Sequence, residues 1–183
     1  SNSFCNNLSS VFLTSVTSGG TWSGTGIINS STGEFSPQQA GIGNYVISYS
    51  VTQNSCTANT SITITINQFP NAQITLLGND TLCTGSTAQL NASGGDSYLW
   101  NTGSNASSIV VNQSGNYFVT ATNACGTDTS NTINIRVLSV VAAFSASPQS
   151  GNIPLQVNFS NNSINADSYF WNFNNLSSST DTN

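Results

Sequence analysis

Apolar and polar residues alternate with a period of two over several short segments. Two such segments are neighbours along the chain, with their apolar positions at Tyr45, Ile47, Tyr49 and Val51, and then at Ile62, Ile64 and Ile66. This alternation predicts antiparallel strands that have one buried and one solvated face. No apolar stripe with the 3.6-residue period of a helix extends over a useful length. The pattern therefore predicts an all-β chain.

One apolar motif recurs along the chain. Asp96-Ser97-Tyr98-Leu99-Trp100 returns as Asp167-Ser168-Tyr169-Phe170-Trp171, and Trp22 follows Cys5 by the same 17 residues that separate Trp100 from Cys83. Such periodicity is typical of a structural unit that is repeated. We therefore expect three domains, which we call repeat one (1–68), repeat two (69–138) and repeat three (139–183).

The ends of these repeats are uneven. Repeat one lacks the opening strand that Ile74 to Leu76 provide in repeat two, and repeat three stops soon after Trp171. A sheet that stops there leaves open edges. We therefore expect that the sequence is a window on a longer protein and that its last domain is truncated.

Charged residues are scarce, and this excludes several classes of function. They make up 4% of the 183 residues, Arg136 is the only base, and the chain has no histidine. The chain therefore has no histidine or lysine for acid–base catalysis or metal binding, and it has no basic patch that could neutralise the phosphates of a nucleic acid. We predict no enzymatic activity, no cofactor and no nucleic-acid partner.

The spacing of the acidic residues argues against a metal site, and the length of the apolar runs argues against a membrane-spanning segment. The six acids are distributed over the three repeats without the closely spaced carboxylates of a calcium loop, so no metal site is predicted. The longest apolar run, Val137 to Phe144, is far below the roughly 20 residues that a membrane helix needs. We therefore expect no membrane insertion.

Large aromatic residues are the predicted core markers of the repeats. They are Trp22, Trp100, Trp171, Tyr45 and Tyr117. A tryptophan at the end of an alternating strand predicts a buried side chain rather than a sugar-stacking surface.

Repeat two resembles an immunoglobulin-like domain. Trp100 on a central strand, and Tyr117 beside Gly115 at the start of a later strand, are similar to the tryptophan and the tyrosine corner of that fold. The resemblance implies tandem immunoglobulin-like β-sandwiches. The positions of the usual inter-sheet disulfide correspond to Ala92 and Val119, so the cysteines lie elsewhere.

Repeat three resembles a PKD domain, the sandwich type named after polycystic kidney disease. The resemblance rests on Pro148-x-x-Gly151-x-x-Pro154-Leu155-x-Val157-x-Phe159 and then on Trp171-x-Phe173. That family usually continues with Phe-Gly-Asp-Gly, whereas this chain has Asn174-Asn175.

Together the three repeats resemble the repeat region of gliding-motility adhesins and related type IX secretion cargo of Bacteroidota. Repeat one contributes Gly20-Thr21-Trp22-Ser23-Gly24 and Gly43-Asn44-Tyr45 to this resemblance. It implies a non-catalytic structural or adhesive segment of a long secreted, cell-surface or filament-forming protein. The implied partners are neighbouring repeats of the same chain, surface glycans or other surface proteins.

Four cysteines allow three pairings. Proximity along the chain and the repeat favour Cys5–Cys56 and Cys83–Cys125. In standard immunoglobulin topology, however, the two members of each pair lie at opposite ends of the sandwich. The alternative is a bridge between successive repeats, for example Cys5 to Cys125.

Two threonines are candidate O-glycosylation sites. Asp80-Thr81-Leu82 fits the Asp-Ser/Thr-aliphatic pattern that Bacteroidota glycosylate, and Asp128-Thr129-Ser130 fits it more loosely. An ordinary Asx turn explains the same residues equally well.

A second interpretation of the array is an accessory carbohydrate-binding or spacer segment of a secreted hydrolase. It requires exposed aromatic residues in a row, and the candidates are Tyr49, Tyr98 and Tyr169. Their alternation predicts that they are buried or half-buried.

Overall fold

A computed structural model describes residues 2–173 and 178–179 of the chain. The regular secondary structure of the described residues is almost entirely β-strand, and their longest helix is the four-residue Pro37–Ala40. The chain is all-β and is built of tandem immunoglobulin-like β-sandwich repeats, as predicted. The described part contains no helix that is long and apolar enough to cross a membrane.

The chain forms two compact units. One unit comprises Ser1–Ile74, Ala92–Ser107 and Phe118–Asn131, and the other comprises Thr75–Asn91, Ser108–Tyr117 and Thr132–Asn183. Both units contain parts of repeat two, so the predicted boundaries 1–68, 69–138 and 139–183 stay a prediction.

Repeat one consists of seven strands and one helical turn. They are β1 (Ser3–Cys5), β2 (Val11–Phe12), β3 (Thr21–Ser23), β4 (Ile27–Asn29), β5 (Glu34–Phe35), α1 (Pro37–Ala40), β6 (Gly43–Gln53) and β7 (Cys56–Asn67). One sheet has the order β1-β7-β6-β3 and the other has the order β2-β5-β4. The long strands β6 and β7 are antiparallel, and their hairpin turns at Asn54 and Ser55. Strand β1 runs parallel to the last residues of β7.

The core of repeat one lies on the inward faces of these strands. Its buried members are Trp22, Phe35, Ile47, Tyr49, Ile64 and Ile66. Trp22 pairs with Tyr49 across β3 and β6, and their ring centroids are 4.6 Å apart. The period-two alternation thus places Ile47 and Tyr49 of β6, and Ile64 and Ile66 of β7, in this core. The predicted inward position Ile62 is exposed, because the first eight residues of β7 extend beyond the core.

A short helical turn leads into the long hairpin of repeat one. Ser36 begins it, because its Oγ accepts a hydrogen bond from the Gln39 N–H at 3.2 Å. Gly41, at φ +81°, ends it, in a conformation that favours glycine. The Tyr45 hydroxyl then donates a hydrogen bond to the Ala40 carbonyl at 2.5 Å, which is the tyrosine corner of this repeat.

Repeat two consists of nine strands. They are β8 (Gln73–Leu77), β9 (Thr81–Cys83), β10 (Ala88–Ser93), β11 (Ser97–Trp100), β12 (Ser108–Val111), β13 (Gly115–Tyr117), β14 (Val119–Asn123), β15 (Gly126–Thr129) and β16 (Ile133–Leu138). They form the sheets β12-β10-β8, β11-β14-β15 and β13-β16-β9. Trp100 is paired with Val119 and is buried, and its indole Nε1 donates to the Ala106 carbonyl at 2.8 Å. The Tyr117 hydroxyl donates to the Gln113 carbonyl at 3.0 Å, as the second tyrosine corner.

Repeat three contains the shorter strands β17 (Phe144–Ser147), β18 (Asn158–Asn161), β19 (Trp171–Asn172) and β20 (Ser178–Ser179). Its rings form a cluster in which Trp171 lies 5.7 Å from Phe144 and 6.1 Å from Phe159 between centroids. The cluster borders a cavity of about 510 Å³. Trp171 is half-buried, whereas Trp22 and Trp100 are buried.

Replacing Ile64 by alanine tests the importance of the repeat-one core. Ile64 is fully buried, so Ile64→Ala should lower the free energy of unfolding by about 2–5 kcal/mol through lost burial and an unfilled cavity. Ile62 lies two residues earlier in the same strand with 37% of its side chain exposed, and Ile62→Ala should cost clearly less. Urea unfolding followed by tryptophan fluorescence measures both, and equal losses would contradict the assignment of the core.

Candidate functional site: the disulfide-linked junction

Cys5 of repeat one forms a disulfide bond with Cys125 of repeat two. Their Cα atoms are 5.7 Å apart although 120 positions separate them along the chain. Cys56 and Cys83 carry free, exposed thiols. The predicted bridges Cys5–Cys56 and Cys83–Cys125 are therefore wrong, and the bond has the inter-repeat form of the alternative.

The strand pairing explains why Cys5 does not meet Cys56. Strand β1 is parallel to the end of β7, and Cys5 lies opposite Asn67. Cys56 is the first residue of the same twelve-residue strand β7. At about 3.3 Å per residue, the two cysteines are roughly 36 Å apart, whereas a disulfide needs Cα atoms within about 7 Å.

The turn that carries Cys125 is held by one asparagine. Cys125 lies in the hairpin between β14 and β15, and its N–H donates to Asn123 Oδ1 at 2.8 Å. The amide Nδ2 of Asn123 donates to the Gln68 carbonyl at 2.8 Å. Asn123 thus connects the hairpin of repeat two to the segment in which repeat one ends.

The connecting segment 68–72 is fixed by further contacts. The Phe69 N–H donates to Asn6 Oδ1 at 2.7 Å, next to the disulfide. The Phe69 ring lies against Gly126, where an added Cβ would stand 3.0 Å from the ring, and the φ of +137° also favours glycine. Larger residues at position 126 would therefore displace the ring.

The carboxylate of Asp128 binds the C-terminal end of the connecting segment. Asp128 of β15 accepts a hydrogen bond from the Ala72 N–H at 2.8 Å through Oδ2. Hydrogen bonds that involve an ionised group are stronger than neutral ones. We call the group Cys5, Cys125, Asn123, Phe69 and Asp128 the junction cluster.

The contacts of the junction cluster are structural ones. It combines one covalent bond with hydrogen bonds to backbone groups of the connecting segment. Short, well-bonded connections restrict hinge motion between domains. Within the described residues, no group of three metal-binding side chains occurs.

A groove beside the repeat-one core is the second feature of interest. It has a volume of about 380 Å³ and is bordered by Thr14 to Thr17 and by the outer part of β7. Two aromatic residues reach it, but Trp22 is 8% exposed and Tyr49 is 6% exposed. The Tyr49 hydroxyl donates to the Thr17 carbonyl at 2.6 Å and accepts from the Gly20 N–H at 2.7 Å. The groove therefore presents mainly aliphatic side chains, such as Val16, Val51 and Ile62, rather than open ring faces.

The other aromatic candidates for sugar contact do not form a row of open rings. Tyr98 and Tyr169 are half-buried, and the Tyr98 hydroxyl donates to the Gly95 carbonyl at 2.9 Å. Tyr45 is half-buried and Tyr117 is buried at the two tyrosine corners.

Thr81 and Thr129 are both exposed. The Thr81 hydroxyl donates to Asp80 Oδ1 at 3.1 Å, and the Thr129 hydroxyl lies 3.5 Å from that of Thr120. Exposure is compatible with modification, but O-glycosylation of either residue stays a prediction.

Sequence analysis missed the roles of Asn6, Phe69, Asn123 and Asp128 at the junction. One signal was present in the sequence, because Asn54-Ser55-Cys56 and Asn123-Ala124-Cys125 share the pattern Asn-x-Cys. That pattern places both cysteines at a hairpin, although Cys125 lies in the turn and Cys56 is the first residue of β7. The hydrogen bonds from the connecting segment to Asn6 and Asp128 span 63 and 56 residues, and no local pattern indicates them.

Comparison with known proteins gives similarity to solved structures only. No family model matches the chain, and no curated protein matches it. The chain is similar to the N-terminal four Ig domains of Dscam1 isoform 7.44, at 11% identity and TM-score 0.44, over 74% of this chain and 43% of that one.

Two further structures are similar. The amphioxus IgVJ-C2 molecule matches at 15% identity and TM-score 0.35, over 68% of this chain and 93% of that one. The Bacteroides ovatus SGBP-B, solved in complex with a mixed-linkage heptasaccharide, matches at 14% identity and TM-score 0.29, over 74% of this chain and 42% of that one. The chain spans less than half of the Dscam1 structure that it matches.

Removing the junction disulfide should destabilise the protein. In the chain-entropy model, a bond that closes a loop of this length contributes up to about 5 kcal/mol, so Cys5→Ser should lower the free energy of unfolding by about 2–5 kcal/mol. The matched controls Cys56→Ser and Cys83→Ser remove exposed thiols and should stay near the original value. Differential scanning calorimetry compares the three variants, and no difference between Cys5→Ser and the controls would contradict the role of the bond.

The carboxylate at the junction gives a second prediction. Asp128→Ala leaves the Ala72 N–H without its charged acceptor and should cost about 1.5–3 kcal/mol, whereas Asp128→Asn keeps an acceptor oxygen and should cost less. Asp96 is exposed, and Asp96→Ala serves as the control. Hydrogen exchange of the Ala72 amide provides a local measurement, and protection that is unchanged in Asp128→Ala would refute the contact.

Proposed function

We propose that this chain is a non-catalytic structural and adhesive segment of a long secreted protein at the cell surface or in a filament, of the gliding-adhesin type that its repeats resemble. The observation that carries the proposal is the Cys5–Cys125 bond, which joins two successive immunoglobulin-like repeats. A segment that only needed to fold would gain as much from bonds within each repeat. A bond between repeats is useful where the array must keep its alignment under load.

The location of the protein follows from the same bond. Disulfides form and persist in oxidising compartments, including the cell exterior. The bond thus indicates a non-cytoplasmic protein, and we infer an extracellular or cell-surface location.

The strand pairing supports a load-bearing role. Strand β1 enters repeat one parallel to β7, through which the chain leaves it. Once the Cys5–Cys125 bond is reduced, opposite forces on the two ends of the repeat therefore slide β1 along β7 and load their hydrogen bonds together instead of one by one. Strands β9 and β16 are parallel in the same way.

The scarcity of charge fits a role outside the cell. With 4% charged residues, the protein is held together by uncharged hydrogen bonds and burial. Salt screens exposed charges but leaves such contacts nearly unchanged. The array would therefore keep its stiffness over a range of ionic strength.

The accessory carbohydrate-binding role is the weaker candidate. Stacking on a sugar ring needs an open aromatic face, and the aromatic residues at the repeat-one groove are buried. Specific binding on a glycan array by this chain alone, lost on changing residues of that groove, would favour it over the adhesive segment.

Force spectroscopy tests the load-bearing function. When the chain is pulled from its two ends, the residues between Cys5 and Cys125, 120 positions apart, should not extend while the bond is intact. Reduction with dithiothreitol should add roughly 400 Å of contour length at about 3.3–3.6 Å per residue. Cys5→Ser should show the longer contour length without reductant, and Cys56→Ser should keep the shorter contour length of the oxidised protein. Full extension of the oxidised protein would overturn the proposed mechanism.

A further inference from the structure

The two free cysteines occupy the same two kinds of position as the two bonded ones. Cys5 ends strand β1 opposite Asn67, the last residue of β7. Cys83 ends strand β9 opposite Leu138, the last residue of β16. We call Cys5 and Cys83 strand-end cysteines.

The hydrogen bonds around the strand-end cysteines are matched one for one. In both cases the residue after the cysteine donates a backbone hydrogen bond to the residue that lies opposite the cysteine. The Asn6 N–H donates to the Asn67 carbonyl, and the Thr84 N–H donates to the Leu138 carbonyl, both at 3.0 Å. The residue three positions before each cysteine also accepts a matched bond. These two bonds run from Thr65 N–H to the Asn2 carbonyl at 2.9 Å and from Arg136 N–H to the Asp80 carbonyl at 2.8 Å.

The other two cysteines lie in the last hairpin of their repeats. Cys125 lies in the turn between β14 and β15, two residues after Asn123. Cys56 is the first residue of β7, two residues after Asn54 and directly after the turn of the β6–β7 hairpin. In repeat one this hairpin connects β6 to β7, and β7 pairs with β1. In repeat two it connects β14 to β15, and the next strand, β16, pairs with β9. We call Cys56 and Cys125 hairpin cysteines.

The observed bond defines a direction along the array. It joins the strand-end cysteine of repeat one to the hairpin cysteine of the following repeat. Cys83 is a strand-end cysteine without its hairpin partner, and Cys56 is a hairpin cysteine without its strand-end partner. Both thiols are exposed, so a neighbouring unit has access to them.

We propose that Cys56 and Cys83 form the same inter-repeat bond with the flanking units of the array. Cys83 pairs with a hairpin cysteine of the unit that begins at repeat three, and Cys56 pairs with a strand-end cysteine of a unit on the N-terminal side of repeat one. The hairpin cysteines follow their tryptophans by 34 residues in repeat one and 25 in repeat two, and the same spacing after Trp171 falls beyond Asn183. The inference rests on the array architecture of the proposed function.

The exposed part of the long hairpin favours this partner for Cys56. The first eight residues of β7, from Cys56 to Thr63, are exposed, so the hairpin extends away from the repeat-one core. In the observed junction, the hairpin of repeat two is the element that reaches the preceding repeat. The β6–β7 hairpin is the equivalent element of repeat one, and its exposed tip carries Cys56.

The chemistry of each new bond is an oxidation of two thiols. Two S–H bonds break, one S–S bond forms, and the two protons pass, directly or through water, to the two sulfurs of the oxidant. The two electrons pass to the disulfide of an oxidised thiol–disulfide oxidoreductase, which becomes a dithiol through a mixed-disulfide intermediate. The same class of oxidant is needed to form Cys5–Cys125.

Thiol mapping of the full protein, isolated from the cells that make it, tests the inference. N-ethylmaleimide is added before the cells are opened, and the protein is then digested with pepsin at low pH, where disulfide exchange is slow because thiolate is scarce. Trypsin is unsuitable because Arg136 is the only lysine or arginine. Mass spectrometry should show no maleimide on Cys56 or Cys83 and should find each linked to a cysteine peptide from another unit. Cys5–Cys125 serves as the internal control.

The 183-residue chain produced alone is the matched reference. Without its flanking units, it should take up two maleimide groups, one on Cys56 and one on Cys83. Maleimide or glutathione on either residue of the full protein would overturn the proposal. That result would leave the load-bearing function open, because the pulling experiment depends only on Cys5–Cys125.

A link between Cys56 and Cys83 of two copies would also overturn the choice of partner. Two single variants of the 183-residue chain detect that case. Cys56→Ser and Cys83→Ser, mixed in a buffer of reduced and oxidised glutathione, would then form a one-to-one linked dimer that neither forms alone. The proposal expects monomers in the mixture on a non-reducing gel.

Discussion

The parallel pairing of β1 with the end of β7 is the constraint on which the junction depends. It places Cys5 beside Asn67, at the point where the chain leaves repeat one. From there the cysteine meets the β14–β15 hairpin of repeat two, whose turn is held to Gln68 by Asn123. If β1 paired at the start of β7 instead, Cys5 would lie near Cys56 and the repeats would have no covalent connection.

The protein keeps its structure with almost no charge. Asparagine and serine side chains satisfy backbone groups in many of its turns, as Ser36 does at the start of α1 and Asn29 does for the N–H groups of Ser31 and Thr32. Such local bonds favour turns and caps over regular structure. A chain rich in these residues can therefore build short strands and defined turns with few charges, and at the junction Asp128 supplies a carboxylate acceptor.

The same features explain why a mechanical role suits this chain better than a chemical one. The aromatic residues of repeat one are used in its core, and the Tyr49 hydroxyl is already bonded to backbone groups. Several long-range contacts, including the disulfide, instead join repeat one and the connecting segment to the hairpin of repeat two. A disulfide at this position connects the two repeats covalently, which agrees with the proposed structural role.

The sequence by itself determined the strands and the class of fold. Alternating residues such as Ile62, Ile64 and Ile66 indicate strands because side-chain direction in a strand depends only on position, and the recurring Trp and Gly-Asn-Tyr motifs indicate a repeated sandwich. The identity of the disulfide was decided only by the tertiary structure. Cys5 is closer in sequence to Cys56 than to Cys125, yet strand direction and register place Cys56 at the far end of β7. Proximity along the chain says little about which cysteines meet once strands of about 36 Å separate the two ends of a repeat.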